Sequence, residues 1–328
     1  MKTSNAVLAL VFVALLLGAA GSLLVGRVYL PPSTLLSGLL SPDSSIAGLI
    51  VVDLRLPRAV LALLVGSSLG LSGAVLQGLL RNPLAEPGLL GVSSGAALGA
   101  VIAIYFGLSA RFALAAPILG LIGAMGAGAL TFTFGRGGTL TMILAGAAVS
   151  GLSGALLSLA LNFAPSPYAA YEITIWLLGT LTDRSWGHVL LAAPFIGAGM
   201  ALLAVTGRAL DALALGEAQA ASLGVNLDRT RLLALLGVGL AVGAGVSVSG
   251  SIGFIGLVAP HLVRPFVGHH PSRTLLPSAL LGAALLLLAD VATRLIPTNS
   301  EVRLGVLTGL IGAPFFFALV SRLRRLSP

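Results

Sequence analysis

Long apolar runs separated by short polar breaks dominate the sequence. Runs of about 20 mostly apolar residues can cross a bilayer as helices. The pattern predicts such spans near 6–25, 57–80, 88–107, 113–134, 140–163, 188–206, 232–250, 252–268, 274–296 and 303–320. The first run is longer than the apolar core of a cleavable leader, about 7–15 residues. Further spans follow it, so it reads as the first membrane helix. The run 252–268 is short and carries Pro260, which predicts a half-helix or a tilted one. Two connections are too long for tight turns. Residues 164–187 contain Trp176 and Trp186 and read as an outer interfacial helix, because Trp favours the membrane–water boundary. Residues 207–231 are polar, with Ala-rich pieces broken by Gly216 and Gly224. They read as two short helices joined by tight turns, either a docking element or a solvated loop.

Composition supports the bilayer as solvent. The chain is 57% hydrophobic and 9% charged, where soluble domains average about 25% charged. Glycine is 43 of 328 residues, well above the usual share. Small residues let membrane helices approach closely. Gly66 and Gly70 form one GxxxG spacing, and Gly91, Gly95 and Gly99 a double one. The chain has no cysteine, which excludes disulfides, thiolate metal sites and iron–sulfur clusters. The net charge of +8 reads as topology rather than nucleic-acid binding. With the N-terminus inside, Lys2, Arg81, Arg136, Arg208, Arg229, Arg231, Arg264, Arg273, Arg322, Arg324 and Arg325 face the cytoplasm. Arg27, Arg55, Arg58, Arg111, Arg184, Arg294 and Arg303 then face outward. The count, 11 against 7, favours both termini inside, and leaves a surplus of outer arginine to explain.

Candidate chemistry is sparse. Lys2 is the only lysine, so no phosphate-binding GxxxxGK[ST] loop exists, and any ATP-driven motor must be another polypeptide. The segment Arg81-Asn82-Pro83-Leu84-Ala85-Glu86-Pro87 cannot continue a helix. Irregular backbone at a membrane helix end is tolerated where it is buried in protein or lines an aqueous path, which makes it a gate candidate or a plain turn. His261 reads as a helix-packing hydrogen bonder, and His269 and His270 sit in a polar turn without further metal ligands. Asp290 lies deep in an apolar run. It is a functional candidate, or the partner of Arg294 four residues on. GLSG occurs at Gly70–Gly73 and Gly151–Gly154, which raises intramembrane serine proteolysis through Ser72 or Ser153; that chemistry needs a nearby base. A weak internal echo links the small-residue patterns starting at Gly66 and Gly243, as inverted transporter repeats do.

A longer set of motifs speaks more specifically. LRLPR (54–58), SGAVLQGLLRNPLAEPGLLGVSSGAALG (72–99), LALGE (213–217), GFIGLVAPHLVR (253–264), LLPSALLGAALLLLAD (275–290) and GAPFF (312–316) resemble, in order, the FecCD permease family. That family includes the BtuC-like cobalamin permeases and the haem and siderophore permeases. The resemblance implies an all-α bundle of about ten membrane helices forming one permease domain over 1–328. It implies a homodimer in the bacterial inner membrane, two ATP-binding subunits beneath it and a periplasmic substrate-binding protein above. Cofactors are expected only in the partner, which would bind ATP and Mg. Residue by residue, Arg55, Arg58 and Arg294 match arginines that hold acidic groups of the binding protein, with guanidinium–carboxylate geometry suited to that task. Asn82 and Leu84 match one cytoplasmic gate, and Thr139 and Leu140 the other. Leu213, Leu215, Gly216 and Glu217 match the helices that couple to the ATPase. The family reads E-[LI]-P-[VI]-G before the last span; here Arg303 replaces the proline in Glu301-Val302-Arg303-Leu304-Gly305.

The expected function is therefore import of an iron chelate, haem or cobalamin by alternating access at the dimer axis. The few charges inside suit a large cargo released by shape. The alternatives are a secondary transporter or channel using Asp290 and, more remotely, the serine protease.

Overall fold

The computed structural model describes residues 2–26, 30–40, 46–297 and 301–326, without the side chains of 2–7, 39, 320 and 322–326. Arg27 and the side chains of Lys2, Arg322, Arg324 and Arg325, which entered the charge count, lie outside the described residues. The described chain is helical throughout. It opens with α1 (Lys2–Leu24), α2 (Pro32–Leu40) and α3 (Ile46–Leu49). A π-helical turn, Ile50–Arg55, runs without a break into α4 (Leu56–Leu79). Next come α5 (Val92–Tyr105), α6 (Leu108–Arg111), α7 (Ala115–Phe134), α8 (Thr139–Asn162) and α9 (Pro167–Leu177). The second half holds α10 (Trp186–Ala204), α11 (Gly207–Leu213), α12 (Glu217–Ser222), α13 (Leu227–Ser249), α14 (Ile255–Val263), α15 (Pro271–Leu295) and α16 (Leu304–Leu326).

Six helices are long and apolar enough to cross a membrane, namely Ile46–Leu79, α7, α8, α10, α13 and α15. Four shorter apolar helices, Leu8–Leu24, Val92–Tyr105, Ile255–Val267 and Leu304–Leu319, occupy the remaining predicted spans. The chain is a multi-pass membrane protein. Its outer helices carry exposed Leu10, Phe12, Leu144, Leu152, Leu310 and Phe317, side chains suited to a lipid solvent.

Two helices are buried on nearly every side, α4 and α13. They are the two that share the echo of small residues. Glycine makes this central packing possible. A Cβ on Gly70 would strike the carbonyl oxygen of Ser278 on α15, and one on Gly66 would lie 2.5 Å from that of Gly282. Gly95 and Gly99 on α5 stand in the same way against Gly123 and Leu119 of α7. Both GxxxG spacings are thus real helix contacts, in which dispersion between close backbones replaces burial from water.

Two expectations about boundaries are corrected. The span expected to begin at 57 begins at Ile46, because the π turn lets the helix continue past Asp53. The stretch before it, for which no element was expected, contains α2. The span expected from 88 starts as a short 3₁₀ turn, Pro87–Leu90, and becomes α-helical only at Val92, because Gly91 takes a left-handed conformation (φ 75°). The expected half-helix with Pro260 is found as α14, nine residues long. Segment 164–187 contains α9, whose start is capped by Ser166 accepting from the Ala169 N–H. Trp186 donates from Nε1 to the Val52 carbonyl at 2.9 Å.

Candidate functional site

Polar side chains gather at two ends of the bundle. At one end, the C-terminus of α1 leaves backbone carbonyls without helical partners. Two arginines fill that gap. Arg55 donates to the carbonyls of Leu23 and Leu24, and Arg294 donates to those of Ser22 and Val25 and to the Ser22 hydroxyl. Arg294 also pairs with Asp290 one helical turn back. Arg58 reaches the same carboxylate at 2.9 Å and Glu301 at 3.1 Å. Glu301 in turn accepts from Thr182 at 2.7 Å. Burial would raise the Glu301 carboxyl, but Arg58, Thr182 and Arg294 overcome this and hold it below the ordinary glutamate value.

The three arginines expected to hold acidic groups of a binding protein are brought together here, each with partners inside this chain. The side chain of Arg58 keeps 11% exposure and that of Arg294 4%. The physical reason is local: exposed helix-end carbonyls and a fully buried carboxylate are stronger attractors than solvent. The expected Asp290–Arg294 pair is present, and Asp290 is neutralised on two sides, which leaves it poorly placed to bind a transported ion. Arg303 lies at the start of α16, where its carbonyl accepts from Val306 and Leu307 as the first helical turn forms.

The other end holds the gate and coupling candidates. After α4 the chain turns at Arg81, which has a left-handed backbone (φ 49°). The side chain of Asn82 then accepts from the Leu84 N–H at 2.9 Å, and its carbonyl accepts from Ala85. This closes a compact turn in place of a helix. The following 3₁₀ turn packs on α8: a Cβ on Gly146 would meet the Leu89 carbonyl, and Ser150 donates to the Gly88 carbonyl at 3.4 Å. The turn that follows the Asn82–Leu84 gate candidate thus packs against the middle of α8. Thr139 opens α8, and Leu140 beside it is exposed.

The expected pair of short helices in 207–231 is found as α11 and α12, broken at Gly216 (φ 116°) and again at Gly224 (φ 84°). Leu213 faces inward and Leu215 outward. Glu217, at the start of α12, joins the two sites. Its Oε1 accepts from the Thr139 hydroxyl at 2.8 Å and from Arg231 of α13 at 3.0 Å. The Thr139 hydrogen bond first, with Arg231 and Arg81 behind it, holds this carboxyl below the ordinary glutamate value against the opposing effect of burial. The gate candidate Thr139 and the coupling candidate Glu217, 78 positions apart, are therefore joined by a direct hydrogen bond. Thr182 is the member that sequence reading did not place, since its partner Glu301 lies 119 positions away.

Among the described residues no histidine is hydrogen-bonded to Ser72 or Ser153, the two serines of the proteolytic alternative. Ser72 is buried with no hydrogen-bond partner among the described residues. Ser185 and His188 meet at 3.1 Å, as a helix capping box. His261 packs edge-on against Phe315.

The model of the FecCD transport family matches residues 10–322. The chain is 41% identical over 280 residues to the hemin transport system permease protein HmuU of Yersinia pestis, covering 83% of each. It is 38% identical over 330 residues to the vitamin B12 import system permease protein BtuC of Vibrio vulnificus, covering 98% of this chain and 95% of that one. A solved inward-facing structure of a metal-chelate type ABC transporter superimposes with a TM-score of 0.86 at 34% identity, over 97% of this chain and 99% of that one. A bundle built round two glycine-lined central helices, matched along almost its whole length by importer permeases, places this chain in the FecCD transport family.

Proposed function

We propose that this permease works as a homodimer in the inner membrane, with two ATP-binding subunits and a periplasmic binding protein, and imports a metal chelate of the haem, siderophore or cobalamin class. The observation that carries the coupling half of this reading is the Thr139–Glu217–Arg231 bridge. In this reading α11 and α12 sit on the ATP-binding subunit, and Glu217 passes their displacement to the start of α8. ATP and Mg are bound by the partner. A ligand biases a conformational equilibrium only by binding the two states differently, so the bridge must differ between nucleotide states. The exposed flank of α8 is the proposed dimer face. The binding protein docks at the end bearing the arginine cluster, with Arg58 as the member that reaches the surface. The cytoplasmic placement of both termini belongs to the same proposal.

The test is uptake into vesicles that contain the permease, its ATP-binding subunits and its binding protein. Ferric siderophore, haem and cobalamin are offered side by side. ATP-dependent accumulation of one of them is expected. Accumulation against a gradient by the purified chain alone would overturn the reading and restore the secondary-transporter alternative.

A further inference from the structure

Beside the coupling segment is a cavity of about 270 Å³, lined in part by Ala214 of that segment and by Arg81 of the turn after α4. It lies between the ends of α4 and α14 and the start of α15, and its charged walls are Arg81 and Arg264, with His269 at the rim. No carboxylate lines it. The nearest acids are committed elsewhere. Glu217, close enough to feel Arg81, is held by Thr139 and Arg231. Asp211 accepts the Ser272 N–H at the start of α15 at 2.9 Å. Among the described residues Arg264 forms no ion pair, although it is partly buried. A partly buried cation without a counter-ion is costly.

The site is also built, not incidental. Gln77, 3% exposed within α4, accepts from the Arg264 guanidinium and turns its own amide toward the carbonyls of Gly256 and Leu257. One edge of the guanidinium is thereby fixed. Arg81 and His269 both have left-handed backbones, with φ of 49° and 61°, although neither is glycine. The turn before His269 is tied by its N–H donating to the Arg264 carbonyl at 3.1 Å. Strained positions of this kind concentrate at ligand clamps.

We propose that this cavity binds a phosphate group, with Arg81 and Arg264 as its cationic ligands and Gln77 positioning Arg264. Paired guanidinium forks match phosphate oxygens, and the volume admits the group with part of a substituent. The phosphate can come from a lipid headgroup at the membrane surface or from free phosphate. The inference does not depend on which cargo the permease carries.

The experiment places the full chain in nanodiscs of phosphatidylcholine alone or with phosphatidylglycerol, and follows thermal unfolding during titration with inorganic phosphate. Potassium chloride at matched ionic strength is the control. A midpoint that rises with phosphate in phosphatidylcholine discs identifies the free anion. A midpoint already higher in phosphatidylglycerol discs than in phosphatidylcholine discs before phosphate is added identifies the anionic headgroup. In either case Arg264→Gln should weaken the response about tenfold or more, the loss expected for one charge-assisted contact. Arg81→Gln, at an exposed position, should do the same without endangering the fold. No rise with phosphate together with equal starting midpoints in the two discs, a rise matched by chloride, or an undiminished response in Arg81→Gln would overturn the proposal.

Discussion

The two ends of the molecule solve one chemical problem with the same parts. At each, a glutamate oxygen is shared between a threonine hydroxyl and an arginine: Glu301 with Thr182 and Arg58, and Glu217 with Thr139 and Arg231. What differs is the backing. Behind Glu301 stand the buried Asp290 and Arg294, tied to the end of α1. Beside Glu217 stands Asp228, whose side chain is 84% exposed and reaches Arg231 only at 3.5 Å. Buried ion pairs resist the loss of a partner strongly, whereas exposed ones contribute about 0–1 kcal/mol. The same triad is therefore a fixed joint at one end and a releasable one at the other.

The largest test of that contrast is Asp290→Asn. It leaves Arg58 and Arg294 without their shared counter-charge and should cost about 3–5 kcal/mol. Thermal unfolding in detergent checks it, and a midpoint within a degree of wild type would mean the Asp290 joint is not what holds α1, α4 and α15 together. Next is Gly70→Val, which forces a side chain against the Ser278 carbonyl and should cost about 1–3 kcal/mol. The same assay reads it. Glu217→Gln should barely move unfolding yet lower ATP-driven uptake while hydrolysis continues. If uptake and hydrolysis fall in proportion, the bridge is not a transmission element.

Acid gives a finer comparison. Glu217 and Glu301 both ionise more easily when folded. Their stabilisation is thus complete above the ordinary glutamate value and is lost only as pH falls through the lower folded value. Uptake should be flat across neutral pH, and Glu217→Gln should remove whatever acid sensitivity the inner joint contributes. Asp228→Asn should have the smallest effect, within about 0.5 kcal/mol. A larger loss in unfolding measurements would show that the inner joint is more rigid than its exposure implies.

What the sequence displayed was chiefly what lies within one helical turn or one element. Asp290 and Arg294 are four apart on one helix, and Gly66 and Gly70 are likewise one turn apart, so both features were visible before folding. The breaks at Gly216 and Gly224 followed from backbone freedom. The ion pair between Arg58 and Asp290 spans 232 positions, and the Thr139–Glu217 bond 78. Nothing local connects them. Family resemblance indicated which regions matter, but not that Arg55 and Arg294 would satisfy α1 carbonyls. That outcome depends on where α1 ends against α15, which is a matter of packing.

The π turn before α4 has a consequence of its own. A π turn accommodates one residue more than the regular spiral, and one residue corresponds to about 100° of rotation. Deleting a single residue between Ile50 and Val52 would restore regular winding and swing the outer extension, with Trp186's acceptor carbonyl on Val52, to another azimuth. The glycine-packed span below would stay where it is. The protein thus has an indexing collar, through which the outer cap of the bundle can be re-aimed in evolution without re-cutting the core.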